Sequence, residues 1–337
     1  MVSSLAPLSL DVSFWTGLLD ATVAAGTIFI IASLGEIIAE RAGILNLGME
    51  GMLLVGALTG FMTTVVTNNP YLGFLVAILA GTTMAAIHAF LCISLKSDQV
   101  ISGVMLTLLG TGLTTYFGQG WTQHNIDGVK QYTLPVIGEY LVGVPVIGPA
   151  LFESAPTDYL AILLVPTVWY VLFRTNVGLE LISVGEDPET ADTMGVRVFR
   201  LKYLAVLVGG AFAGLAGAHL SLAYAQLWVA GMVAGRGWIA VALVIFARWQ
   251  PKYAIVGAYL FGMLEALQVR SQGITFTVEG APVLVNEVIK FFTHPQIMST
   301  YPYFVTVAVL AITVARSREG ASAVPSALLE PYSRETD

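Results

Sequence analysis

Residues 183–198 read SVGEDPETADTMGVRV, the longest clearly water-facing piece in the middle of an otherwise apolar chain. Asp187 followed by Pro188 is a strong helix start. The carboxylate caps free N–H groups, and proline fits the first turn, where no N–H partner is needed. Glu189 lies in the same turn, where negative charge suits the helix dipole. Gly195 is placed to end the helix in a left-handed conformation. The spacing predicts a polar helix of about two turns with hydrophobic spans on both sides. On composition alone it is equally an ordinary capped connection or a surface offered to something in the water.

The rest of the chain decides what those spans are. Of its 337 residues 56% are hydrophobic and only 11% charged, against about 25% charged in soluble domains, and the mean hydropathy is +0.79. The composition is that of an all-α polytopic integral membrane protein. At about 20 residues per span plus connections, the length allows roughly 8 to 10 transmembrane helices, about nine. A net charge of −7 gives no reason to expect nucleic acid as a partner. The single Cys92 excludes an intrachain disulfide and a Cys-rich metal site, so no metal is expected. Residues 1–13 contain no Lys or Arg, and no cleavable signal is expected there.

In order, spans are expected over Phe14–Ile38, Leu72–Leu95, Val100–Phe117, Asp158–Phe173, Leu201–Tyr224, Tyr253–Val269 and Tyr301–Val314. The first ends in Glu36, Glu40 and Arg41, a cluster expected at a membrane interface. Gly103, Gly110 and Gly112, and later Gly210, Gly214 and Gly217, are small-residue packing positions. Gly43–Val66 is an interrupted span, because Asn46, Gly48, Glu50 and Gly51 rule out a plain lipid-facing helix. Trp238–Phe246, stopped by Arg248, Trp249 and Pro251, is too short for a full span and reads as a half-helix. Residues 118–157 are loop-like, with short strands or a hairpin possible, and Val283–Phe292 is amphipathic. The organisation is an N-terminal segment 1–13, one transmembrane domain 14–316 and a mobile polar tail 317–337.

Two interrupted segments, Asn46–Gly51 and Gly231–Trp238, echo each other across the halves of the chain. Such pairs point to a substrate path at a repeat interface. Glu50 is costly at depth and has two readings: it lines the path with Asn46 on a shared helical face, or it bonds a neighbouring helix end. Asp20 and Glu265 share the ambiguity. His88, His124, His219 and His294 stand singly, as packed residues do. No G-x-x-x-x-G-K-[ST], H-E-x-x-H or G-x-S-x-G occurs, so no catalytic residues are expected. With residues 183–198 set in the cytoplasm and the spans alternated, Arg41, Lys96, Arg174, Arg197, Arg200, Lys202, Arg248, Lys252, Arg316, Arg318 and Arg334 fall inside, and Lys130, Arg236, Arg270 and Lys290 outside: 11 against 4 of the 15. That bias is the positive-inside pattern.

Three blocks, in order, resemble one family: ERAGILNLGMEGMLLVGA (Glu40–Ala57), VGEDPETADTMGV (Val184–Val196) and GRGWIAVALVIFARWQP (Gly235–Pro251). They look like permease subunits of ABC importers of the ribose and branched-chain amino acid permease family, most closely the nucleoside group that works with basic-membrane-lipoprotein receptors. The resemblance covers about residues 15 to 315. It implies a type II-like permease fold with broken helices, resembling the vitamin B12 importer. It implies as partners a separate ATPase subunit that binds the ATP and Mg, a second, homologous permease and an extracellular substrate-binding lipoprotein. This chain then holds no cofactor. The segment at about 186–195 becomes a coupling helix, carried by Gly185, Glu186, Asp187, Pro188, Ala191 and Gly195, which docks on the ATPase. Asn46, Gly48, Glu50 and Trp238 are the expected substrate-path residues. The expected function is nucleoside uptake across the plasma membrane by alternating access, with simple sugars as the alternative and the coupling segment and C-terminus cytoplasmic. An ion-coupled secondary transporter with Glu50 as its proton site is a rival. An intramembrane enzyme is another, but lacks the clustered His, Asp, Glu or Ser it needs.

Overall fold

A computed structural model describes residues 12–129, 131–133, 137–271, 282–316 and 324–333. The helices are α1 (Val12–Arg41), α2 (Met49–Thr67), α3 (Pro70–Ala89), α4 (Gln99–Gly118), α5 (Ile137–Leu141), α6 (Ile147–Phe152), α7 (Pro156–Arg174), α8 (Asn176–Glu186), α9 (Pro188–Thr193), α10 (Val198–His219), α11 (Arg236–Phe246), α12 (Pro251–Ser271), α13 (Val283–Phe292), α14 (Pro295–Met298) and α15 (Tyr301–Arg316). In the 118–157 region β1 (Tyr132–Thr133) pairs antiparallel with β2 (Glu153–Ser154), the short strand pairing expected there.

The core is built around α1, which is buried on almost every face from Leu18 to Glu40 and packs on α10 and α12. A helix that is apolar all round belongs in the interior. α10 lies against α2 and α3 as well. These crossings need glycine. A Cβ on Gly56 would stand 2.7 Å from the Gly214 Cα, and one on Gly81 would run into the Gly210 carbonyl oxygen. Gly103 and Gly110 likewise meet Gly48 and Gly51, but Gly112 faces open space and is not a packing position. α3, α4 and α7 carry large exposed apolar side chains such as Leu79, Leu108 and Leu163. That is the surface a bilayer covers.

α3 and α10 each run on into a π-helical turn, Phe90–Ser94 and Leu220–Tyr224, next to a buried histidine. His88 pairs with Ser102 Oγ and the Leu45 carbonyl, both at 3.0 Å. His219 pairs with Thr157 Oγ1 at 2.7 Å and the Ala24 carbonyl at 2.9 Å. Both are packed residues, as their single placement suggested.

Among the described residues six helices are long and apolar enough to cross a membrane: α1, α2, α3 and α10 with their π turns, α4 with the turn that follows, and α7. The count of about nine also takes in the regions of α11, α12 and α15, which are helical but fall outside these six. Two local findings add to these expectations. Glu36 and Glu40, in the last turns of α1, are buried within the protein. Residues 324–333 of the tail are packed against α8 and α9, held by backbone and side-chain hydrogen bonds, and this stretch is not free. Residues 1–11, 317–323 and 334–337 of the two terminal segments lie outside the described residues.

Candidate functional site: a braced polar helix and an interior helix start

α9 forms where the sequence pattern puts it. Asp187 Oδ1 accepts the Thr190 N–H at 3.0 Å and Oδ2 accepts the Thr190 hydroxyl at 2.5 Å. These two bonds hold the Asp187 carboxyl below its ordinary value. At the other end Gly195 has φ +87°, Val196 N–H reaches the Ala191 carbonyl at 3.0 Å and Gly195 N–H reaches Asp192 at 2.9 Å. That is a Schellman closure, which needs a residue able to take a left-handed conformation. Ala191 points inward onto Val184, Val198, Leu201 and Tyr332. Glu186, Asp187, Glu189, Thr190, Thr193 and Gly195 point outward, and Met194 is 79% exposed.

The mounting of this unit was not legible beforehand. α8, capped by Thr175 on the Gly178 N–H at 3.2 Å, leads into α9 as a second short helix. A Cβ on Gly185 would run into the Arg41 carbonyl oxygen, so α8 ends directly on the end of α1. Glu186 Oε1 is 3.9 Å from Arg41 Nη1. Arg41 also donates to the Trp249 carbonyl at 3.2 Å, and Ser94 bonds Tyr203 at 2.6 Å. The end of α1 therefore meets the end of α8 and the turn before α12, the π turn after α3 meets α10, and α9 itself packs on α8 and α10. Pro331 and Tyr332, set in the polar tail, were the only hint of the packed segment 324–333.

The second group lies inside the bundle. α11 begins at a part-buried turn against α2, and its first N–H groups have no helical partner. Glu50 supplies one: Oε1 accepts the Gly235 N–H and Oε2 the Gly237 N–H, both at 2.8 Å. A carboxylate at a helix start is favoured by the helix dipole too. The approach is close enough that a Cβ on Gly237 would lie 2.5 Å from the Glu50 Cα. The two interrupted segments therefore meet, and Glu50 bonds a neighbouring helix end, the second of its two readings.

Asn46 does not join them. It precedes α2, so it shares no helical face with Glu50. It is fully buried: its N–H donates to Glu36 Oε1 at 2.8 Å and its Oδ1 accepts the Gly48 N–H at 3.0 Å. Gly48 is buried against Leu106 and Gly103, whereas Trp238 is 40% exposed. Glu40 Oε2 accepts the Trp249 indole N–H at 2.6 Å. Glu265 is paired with Arg236 and Tyr224. Asp20 opens on a cavity of about 510 Å³ shared with Asp127, Asp158 and Gln226. Among the described residues no three His, Cys, Asp or Glu are placed to hold a metal ion.

Six membrane-length apolar helices closed around buried polar contacts define a polytopic membrane protein. The chain belongs to the family of branched-chain amino acid transport system permease components, whose sequence model matches residues 18–314. A Haloferax volcanii protein provisionally named a glucose ABC transporter permease is 62% identical over 328 residues, covering 96% of this chain and 100% of the relative. The guanosine ABC transporter permease protein of Bacillus subtilis is 32% identical over 264 residues, 75% of this chain and 82% of the relative. The nucleoside ABC transporter permease protein of Lactococcus lactis is 30% identical over 302 residues, 86% and 90%. No solved structure matches the chain. This is an ABC transporter permease, a membrane subunit and not an enzyme, and its family implies an ATPase and a substrate-binding protein as partners.

Proposed function

We propose that the chain carries a simple sugar of the glucose class across the plasma membrane, driven by a separate ATPase that binds the ATP and Mg. The observation that carries this reading is the 62% identity over 96% of the chain to the relative named for glucose. The relatives named for guanosine and nucleosides support nucleoside uptake as the second reading. Both solutes present a ring of hydroxyls, so the choice between them is one of ring size and base. In proteoliposomes holding the permease, its ATPase and its receptor, labelled glucose should accumulate on ATP addition. Accumulation of guanosine, and not glucose, makes the nucleoside reading the correct one. Uptake by this chain alone on a proton gradient removes the importer reading in favour of an ion-coupled carrier.

In this reading the segment from Glu186 to Gly195 is the coupling helix, facing the cytoplasm together with the C-terminus. Arg41 beside Glu186, Arg174 at the end of α7, which packs on α8, and Arg197, Arg200 and Lys202 at the start of α10, which packs on α9, support that side. Asp187, Pro188 and Gly195 shape the helix, Gly185 and Ala191 seat it, and Glu186 with the outward residues meets the ATPase. Glu186→Arg and Gly195→Trp should weaken co-purification with the ATPase and ATP-dependent uptake. If both variants assemble and transport normally, the docking assignment is wrong. The path runs by Trp238, with Glu50 fixing the start of α11 and with Asn46 and Gly48 fixing the turn before α2. A second, homologous permease faces this chain, and an external lipoprotein delivers the solute.

A further inference from the structure

Residues 324–333 run from the end of α8 to α9 and are bonded at three levels, two on the last turn of α8 and one on α9. Ala327 N–H donates to the Gly185 carbonyl at 2.9 Å, and the Ala327 side chain is buried. Ser326 donates twice to Glu186 Oε2, from its N–H at 3.2 Å and its hydroxyl at 3.0 Å. Tyr332 donates its hydroxyl to Asp192 Oδ2 at 3.0 Å, and its ring lies 5.5 Å from that of Phe199 with Lys202 Nζ 6.0 Å from the ring centre. Tyr332 is only 9% exposed and belongs to the small apolar cluster of Val184, Ala191, Val198 and Leu201.

α9 spans six residues. A helix that short has no stability of its own, because nucleation is unfavourable and little propagation follows. Its inward face offers one methyl group, that of Ala191. The largest side chain in the cluster beneath it comes from outside the helix, from Tyr332. A segment with this anchoring sets where the helix can point.

We propose that residues 324–333 are a strap holding α9 in its docking orientation, so that Tyr332 and Ser326 are positioning residues for coupling ATP hydrolysis to transport. The proposal rests on the reading of α9 as the coupling helix.

The test uses the full complex of permease, ATPase and receptor in proteoliposomes, with uptake and ATP hydrolysis measured together. Tyr332→Ala should still assemble with the ATPase, while solute moved per ATP falls by about tenfold, equivalent to about 1.4 kcal/mol. Tyr332→Phe keeps the ring and loses the part-buried hydrogen bond to Asp192, so the ratio should stay within about threefold of the parent. A chain ended after residue 323 should behave as Tyr332→Ala does. Amide exchange over 188–194 should quicken in Tyr332→Ala and in the shortened chain, while α4 stays unchanged. A shortened chain with the parent ratio and unchanged exchange overturns the strap. Gly195→Trp is the companion: if it disrupts assembly and Tyr332→Ala leaves the ratio intact, the strap alone fails. If Gly195→Trp and Glu186→Arg both have no effect, the coupling reading itself fails and the strap falls with it.

Discussion

Glu50 shows how far one side chain can be read. A carboxylate in a span invites a proton-carrying role, but its oxygens are both engaged by the Gly235 and Gly237 N–H groups. Glu50→Leu leaves those two donors buried without an acceptor, at roughly 1–3 kcal/mol each. We expect a lower melting temperature in detergent together with lost uptake. Glu50→Gln keeps an acceptor and should fall between. A proton-coupled role predicts instead that Glu50→Gln melts like the parent and cannot transport. Gly237→Ala puts a Cβ 2.5 Å from the Glu50 Cα, a backbone contact that cannot relax by a rotamer change. It should reduce the amount of folded protein recovered from membranes. Glu50 was recognisable in the sequence as unusual, since charge at depth is costly. The pairing of the two interrupted segments pointed to the right region, but not to Gly235 and Gly237 themselves, which are 185 and 187 residues away with no periodicity to record them.

At the scale of elements, what is written locally was legible and what depends on a distant partner was not. Asp187, Pro188 and Gly195 specify α9 through capping chemistry that acts within a few residues, and the short α11 and amphipathic α13 follow from length and pattern in the same way. The burial of Glu36 and Glu40 depends on Asn46 and Trp249, which hydropathy cannot report. A Cβ placed on Gly195, at φ +87°, would meet nothing within 4 Å, so Gly195→Ala should cost the backbone term alone, about 1–2 kcal/mol. Faster amide exchange in α9, without loss of the bundle, is the expected sign. The Asp187 cap has a defined pH range. Its carboxyl lies below its ordinary value in the folded chain, so the stabilisation is complete above the unfolded value and is lost as pH falls through the folded one. The protection of the Thr190 amide should follow that course, survive in Asp187→Asn and vanish in Asp187→Ala.

For the whole molecule, the excess of Lys and Arg on one side of the spans supports the proposed orientation, with α9 in the cytoplasm. Cys92 is buried and gives a quiet background for labelling. Thr193→Cys, on the outward face of α9, should react with a membrane-impermeant maleimide in inside-out vesicles and stay unlabelled in right-side-out ones. The opposite result inverts the topology. The start of α11 has a further, kinetic meaning. To slide or tilt, it must give up two charge-assisted hydrogen bonds where water is scarce, at about 1.5 kcal/mol or more each. Together they hold the detached form to roughly one molecule in a hundred. In the proposed transport cycle, any step that moved the start of α11 would have to break both bonds at once.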